Sequence, residues 1–162
     1  MITVSGRVKA DALVAKWPGI EVACVINSDG NTDITFGDGD KTVAEVEAAV
    51  AEYEAVKKAK AVQEEAERRI DAGLVLSSGV RFKCDDKSIS RIHGMKDSTA
   101  FPVTFKTSAG VTVTINNATE ATAVFNEAAA YVAAVLAASA TLQDNPPADP
   151  QDDQHWPSEN NT

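Results

Sequence analysis

At 162 residues, 44% of them hydrophobic, the chain has the size of one medium domain or two small units. Its formal net charge is −9, which argues against binding the phosphates of nucleic acid or an anionic membrane surface. No apolar run approaches the ~20 residues of a membrane span, and the N-terminus lacks the profile of a signal peptide. We therefore expect a soluble protein made in a cytoplasm, without nucleic acid or membrane partners.

The two cysteines, Cys24 and Cys84, each lie in an apolar, strand-like run. Two buried free thiols are the simpler interpretation, because a disulfide would require the two side chains to face each other. Their spacing does not fit a zinc site, and the chain has only two histidines. No cofactor and no metal are expected.

Residues 1–40 are predicted to form a small α+β unit, a helix and a β-hairpin. Its elements in order are a helix capped by Asp11 and running through Lys16, a strand Ile20–Ile26, a turn Asn27–Asn31, a strand Thr32–Phe36 and a closing turn Gly37–Asp40. In the first turn, the spacing of Asn27, Asp29 and Asn31 also opens a calcium loop of the EF-hand type. Its twelfth residue would be Asp38 rather than Glu, so ordinary turn chemistry explains these residues better.

Residues 41–73 are predicted to form one long helix. Thr42 and Glu45 fit a capping box, no Pro or Gly follows until Gly73, and about thirty residues give roughly 45 Å of helix. An apolar seam at heptad spacing runs along its first half and consists of Val43, Val46, Val50 and Tyr53. The seam predicts either a coiled coil with another chain or a helix lying along its own domains or a partner's surface. We expect these four residues to be buried against identical or neighbouring chains.

Residues 74–143 are predicted to form a second α+β unit, a small antiparallel sheet packed by a C-terminal helix. It begins with a hairpin of Leu74–Leu76 and Val80–Cys84. A short helix or turn, Asp85–Lys96, follows, with Asp86 or Ser88 as its cap and Gly94 at its end. A second hairpin pairs Val103–Thr107 with Val111–Ile115 through a turn at Ser108–Gly110, and the last helix is capped from Asn117.

The last helix has an apolar face and an alanine-rich one. The apolar face is expected to pack on the strands and comprises Val124, Phe125, Ala128, Tyr131, Val132, Val135 and Leu136. The opposite face includes Ala129, Ala133 and Ala137, which we expect to contact a neighbouring molecule.

Residues 144–162 are predicted to form an extended, disordered acidic tail, because four prolines and several aspartates interrupt any periodicity. Trp156 is its one large apolar residue. It is expected to act either as a linear binding motif or as an exposed aromatic without a role.

A dense polar cluster lies at the centre of the chain, at Asp85, Asp86, Ser88, Arg91 and His93. An enzyme interpretation would make Ser88 or Ser90 the nucleophile and His93 the base. Such a pair needs an orienting third group and an oxyanion hole, and no nucleophile-elbow motif is present. A network of caps and turns, with Arg91 pairing with Asp85 or Asp86, is the simpler interpretation.

The order of these segments resembles a known family over about half of the chain. The segments are Ala66–Gly73, Gly79–Phe82, Asp85–Ile92, Phe101–Ile115 and Thr119–Leu142. They are similar to the small uncharacterised domains of tailed bacteriophages found near tail-fibre genes, domain of unknown function 4376. That family has no established catalytic residues, so the resemblance assigns none here.

The resemblance implies a non-enzymatic virion structural protein, a component or adaptor of the phage tail or tail fibre. Its expected partners are other phage tail proteins and further copies of itself, and its expected location is the tail of a virion assembled in a bacterial cytoplasm. The alternatives are a tail-fibre assembly chaperone that is not retained in the virion and, more remotely, a small hydrolase built on Ser88 and His93.

Overall fold

The structure is a computed structural model that describes residues 1–37, 39, 41–107 and 110–160. The fold is α+β, as predicted. The chain forms two compact units, Met1–Lys58 and Ala59–Thr162, and the boundary between them falls within the long helix. The predicted turns Gly37–Asp40 and Ser108–Gly110 lie partly outside the described residues.

The first unit contains a three-stranded antiparallel sheet and one short helix before the long helix begins. Its elements are β1 (Ile2–Val4), α1 (Ala10–Lys16), β2 (Val22–Ile26) and β3 (Thr32–Phe36), with sheet order β1-β3-β2. The predicted hairpin is β2 and β3. Strand β1 was not predicted, because three residues at the chain start are too few to show an alternating pattern.

The start of α1 differs from the prediction that Asp11 caps it. The helix begins at Ala10, and the cap residue Lys9 makes no side-chain cap hydrogen bond. Asp11 lies inside the first turn, where a negative charge is favourable beside the positive end of the helix dipole.

The core of this unit joins the sheet to α1 and to the first part of the long helix. Its buried apolar residues are Val4, Val8, Leu13, Ile34, Val46 and Ala49. Thr32 is buried with them because its hydroxyl accepts from the Val8 amide at 3.0 Å and donates to the Gly6 carbonyl at 2.8 Å. These two bonds satisfy polar backbone groups that would otherwise be buried without partners.

The long helix α2 runs from Val43 to Ala72 and starts with the predicted capping box. The Thr42 amide donates to Glu45 Oε2 at 2.8 Å, and the Glu45 amide donates to Thr42 Oγ1 at 3.2 Å. Gly73 ends the helix with a φ of 75°, the left-handed conformation that glycine adopts without strain.

The second unit continues with short strands and two helices. The elements are β4 (Leu74–Val75), β5 (Arg81–Phe82), α3 (Asp86–Lys96), β6 (Val103–Lys106), β7 (Thr112–Ile115) and α4 (Ala118–Asp144), followed by a 3-10 turn Asp153–His155. β4 pairs with β5 and β6 pairs with β7, both antiparallel, so both predicted hairpins are confirmed.

The cap of α3 is Asp85 rather than Asp86 or Ser88. Its carboxylate accepts from the Ser88 amide at 2.8 Å, and this bond lowers the pKa of Asp85. Gly94 lies inside α3 and does not end it. At α4, Asn117 caps as predicted, since its side-chain oxygen accepts from the Glu120 amide at 2.9 Å.

The predicted disordered tail is wrong for the part of it that the structure describes. The Val75 amide donates to the Glu159 carbonyl at 2.7 Å, and Val75 forms a parallel bridge with Asn160. Trp156 is buried, at 7% exposure, in the same apolar core as α4. The segment is therefore part of the second unit.

Candidate functional site

The predicted seam of α2 is divided between core and surface. Val46 is fully buried at 0% exposure, and Val50 packs against the same core of the first unit. Val43 is 38% exposed, and Tyr53 is half-buried. The expectation that Val46 contacts another chain is therefore wrong, because its side chain already fills the core of its own unit.

A shallow apolar groove lies beside the seam, between α1 and α2. Ala12, Ala49, Tyr53 and Val56 line it, and Lys16 closes one side by pairing with a glutamate of α2, Glu52. Val56 is 65% exposed. The groove therefore presents a small apolar surface, bordered by one ion pair.

The inner face of α4 forms a large part of the second core. Its buried residues are Ala121, Ala128, Tyr131, Val135 and Ser139. The side chains of Val124, Phe125 and Val132 are partly buried against the same core. The prediction placed Leu136 on this face as well, but Leu136 is 54% exposed and lies at the edge of the opposite face.

We define the outer face of α4 as its exposed apolar positions, which are Ala130, Ala133, Ala134, Leu136, Ala137 and Ala140. They extend over about 15 Å of helix. Between Glu127 and Asp144 the helix carries no charged residue. Of the predicted contact residues, Ala133 and Ala137 lie on this face, and Ala129 is half-buried at its border.

By length and composition, α4 also meets the criterion for a membrane-spanning helix, and among the described helices it alone does so. This differs from the expectation that no apolar run reaches that length. A helix of a protein core meets the same criterion, and α4 has Tyr131 and Val135 buried in such a core.

Trp156 is not available as a linear binding motif. Its indole Nε1–H donates to the Pro150 carbonyl at 2.7 Å, and the guanidinium of Arg69 lies over its ring, 5.2 Å from the centroid. The buried ring and its satisfied donor make Trp156 an internal anchor of the C-terminal segment.

Arg69 is the charged residue that this anchor depends on, and the sequence analysis gave it no role. At 2% exposure, it donates to Glu65 Oε1 at 2.6 Å, to Asp153 Oδ1 at 2.6 Å and to the Gln151 carbonyl at 3.0 Å. The Tyr131 hydroxyl donates to the Arg69 carbonyl at 3.4 Å, and burial raises the pKa of Tyr131 to about 12. Glu65 and Arg69 are thus a buried pair with good hydrogen-bond geometry.

The central polar cluster does not assemble a nucleophile and base in the described part of the chain. His93 makes an edge-on contact with the Phe125 ring, with centroids 5.0 Å apart. Ser88 is engaged through its amide at the α3 cap. Within the same described residues Arg91 forms no ion pair, so its expected pairing with Asp85 or Asp86 is wrong. Asp85 pairs instead with Lys83, at 3.1 Å.

The candidate calcium loop is a hydrogen-bonded turn. Both Asp29 carboxylate oxygens accept hydrogen bonds from Asn31. One accepts from the backbone amide and the other from the side-chain amide, each at 3.0 Å. The predicted twelfth position, Asp38, lies outside the described residues. Over residues 1–37, 39, 41–107 and 110–160, no group of three His, Cys, Asp or Glu side chains is placed to hold a metal.

Cys24 and Cys84 are both free thiols. Cys84 is buried in the second core, and burial raises the pKa of its thiol to about 11. At neutral pH it is therefore a protonated, apolar core residue rather than a nucleophile.

No curated protein and no solved structure shows significant similarity to the chain. A family model described as a domain of unknown function matches residues 52–155, which is more than half of the chain. The matched region runs from the tenth residue of α2 to the end of the 3-10 turn and includes most of the second unit. The chain belongs to this family, domain of unknown function DUF4376.

Proposed function

We propose that the protein is a non-enzymatic structural component or adaptor of a bacteriophage tail or tail fibre, acting by protein–protein assembly. The observation that supports assembly best is the outer face of α4, which is exposed, apolar and free of charge over its whole length. The phage setting is supported by the order of segments along the chain, which resembles domains encoded near tail-fibre genes.

The outer face of α4 has the composition of an interface core. Interfaces between proteins are depleted of charge at their centre, and Leu136 supplies a large side chain among small ones. Alanines at the neighbouring positions let another helix approach closely. Because the chain carries a net charge of −9, an uncharged face is where a second copy meets the least repulsion.

The non-enzymatic assignment is supported by what the polar side chains do. Asp85, the most central carboxylate of the cluster, caps a helix and pairs with a lysine. His93 lies against an aromatic ring. The buried charges, Glu65 and Arg69, bind each other, and Arg69 also donates to the Gln151 carbonyl of the C-terminal segment.

The test is the solution mass of the full chain by light scattering over a range of concentrations. We expect an oligomer, and we expect Ala133→Glu combined with Leu136→Glu to reduce it to a monomer with an unchanged circular dichroism spectrum. The matched control is Ala51→Glu combined with Val56→Glu, an exposed alanine and an exposed valine on α2.

A monomeric wild-type chain at every concentration would overturn self-assembly through α4. If only the α2 control variant lost the oligomer, the contact between copies would be assigned to the groove between α1 and α2 instead. Binding to lipid vesicles that the α4 variant abolishes would assign the outer face to a membrane instead.

A further inference from the structure

A second feature of the second unit is a pocket between α3 and β6. Its volume is about 130 Å³, and its apolar surface is formed by Phe82, Ile92, Met95 and Phe105. An apolar cavity of about 150 Å³ is enough to bind one benzene molecule. The pocket is slightly smaller than that, so it can hold one branched aliphatic side chain or part of an aromatic ring.

The polar residues around this pocket are all cationic or hydroxylic. The cations are Lys83, Arg91 and Lys106, and none of the described lining residues is a carboxylate. Lys83 is already paired, with Asp71 at 3.2 Å and Asp85 at 3.1 Å. Arg91 and Lys106 are exposed and form no ion pair with any described residue. On a chain of net charge −9, this opening is complementary to an acidic group.

Thr107 lines the same pocket, and its hydroxyl oxygen is buried without a hydrogen-bond partner among the described residues. Buried polar groups in folded proteins are nearly always paired, so an unpaired one calls for an explanation. A ligand with a hydrogen-bonding oxygen in the pocket would satisfy this hydroxyl.

The backbone of β6 is open along one edge beside the pocket. The Thr107 amide donates to the Val111 carbonyl at 2.8 Å, and Lys106 lies opposite Thr112 in the β6–β7 register. Hydrogen-bonded and non-hydrogen-bonded pairs alternate in antiparallel strands, so the backbone groups of Lys106 point away from β7. No described strand pairs with that edge, where an extended peptide can add.

We propose that this pocket binds an extended acidic segment of a partner polypeptide. One apolar side chain of the segment fills the cavity, a neighbouring carboxylate lies between Arg91 and Lys106 and accepts from Thr107, and its backbone pairs with β6. The site lies on α3 and β6 rather than on the outer face of α4, so it stands independently of the assembly proposed above.

The proposal is tested by fluorescence anisotropy with the full chain and a labelled acidic peptide, Glu-Val-Glu-Phe-Glu. We expect saturable binding that weakens with salt and that exceeds binding of Lys-Val-Lys-Phe-Lys by roughly tenfold or more. Arg91→Glu combined with Lys106→Glu should weaken binding of the acidic peptide by about tenfold or more. The control, Lys57→Glu combined with Lys58→Glu, makes the same change in net charge on α2 and should change binding less than about twofold.

Thr107→Val tests whether the Thr107 hydroxyl binds the peptide or only stabilises the fold. It removes the unpaired hydroxyl, so the melting temperature should stay the same or rise, while peptide affinity falls. Equal binding of the two peptides, or equal losses in the Arg91 and Lys57 variants, would overturn the proposal. Binding of free 3-phenylpropanoate without binding of the peptide would overturn a polypeptide as the occupant.

Discussion

The guanidinium of Arg69 lies 5.2 Å from the centroid of the Trp156 ring, and both side chains are buried. Arg69 comes from the long helix α2, and Trp156 comes from the acidic segment near the end of the chain. The contact is reinforced by the bonds from Arg69 to Gln151 and Asp153. A segment with the composition of a disordered tail is therefore held in the core of the second unit.

The first prediction is that Trp156→Ala destabilises the second unit strongly. Removing a buried aromatic side chain leaves a cavity and costs about 3–5 kcal/mol. It also removes the ring beneath the guanidinium of Arg69. Urea denaturation of the full chain measures the loss. The exposed neighbour His155 is the control, and His155→Ala should change the free energy of unfolding by about 0.5 kcal/mol or less. Equal effects of the two substitutions would show that the segment is not part of the core.

The C-terminal segment shows where prediction from the sequence ends. Capping boxes, glycine helix ends and hairpins are decided within a few residues, and Thr42, Gly73 and Asn117 were predicted in their observed roles. The partners of Trp156 are set by tertiary packing, because Arg69 lies far away along the chain. Local composition, rich in Pro and Asp, predicts disorder and contains no sign of that distant partner.

The candidate surface was predicted in part for the same reason. Helical spacing separated a core face of α4 from an alanine-rich one, and Ala133 and Ala137 are exposed as expected. Periodicity does not fix where the edge of a core lies, so Leu136 was placed on the wrong side. Val46 was predicted to face another chain, because a seam on a helix looks the same whether its own sheet or a partner covers it.

The second prediction concerns pH and Glu65. Hydrogen bonds from Arg68 and Arg69 hold the pKa of Glu65 below its ordinary value of 4.5, against the opposing effect of burial. A lowered folded pKa means that the carboxylate stabilises the fold above pH 4.5. That contribution is lost as the pH falls through the folded pKa. Glu65→Gln should therefore lower stability at pH 7 and flatten its decline on acidification.

Urea midpoints from pH 7 to pH 3 measure this effect. The control is Glu64→Gln, on the same helix, because the Glu64 side chain is 65% exposed and pairs only at the surface. With Glu64→Gln, the urea midpoint should fall between pH 7 and pH 3 by nearly as much as it does for the wild type. Parallel pH profiles for wild type and Glu65→Gln would contradict the assignment.

The third prediction tests whether the α2 seam packs in the core of its own unit or contacts another chain. Val46→Asp places a carboxylate in the core of the first unit, where Val46 is fully buried, and should unfold that unit at neutral pH. Val43→Asp changes a residue that is 38% exposed at the first turn of α2, so the unit should stay folded. Amide proton NMR spectra of the two variants give the answer. A folded Val46→Asp chain that has only lost an oligomer would restore Val46 as a contact between chains.

The fourth prediction concerns Gly73, where α2 meets the β4–β5 hairpin. A Cβ atom added there would lie 2.0 Å from the Phe82 carbonyl oxygen, and the φ of 75° already disfavours an L side chain. Gly79 has nearly the same φ, 79°, with nothing within 4 Å of its added Cβ.

Comparing the two alanine substitutions separates steric overlap from backbone strain. Gly79→Ala should cost only the left-handed conformation, about 1–2 kcal/mol. Gly73→Ala should cost several kcal/mol more, because either the helix end or the hairpin must move. The difference is read from urea denaturation of the two variants beside the wild type. Equal losses would mean that the approach of Phe82 to Gly73 does not constrain the fold.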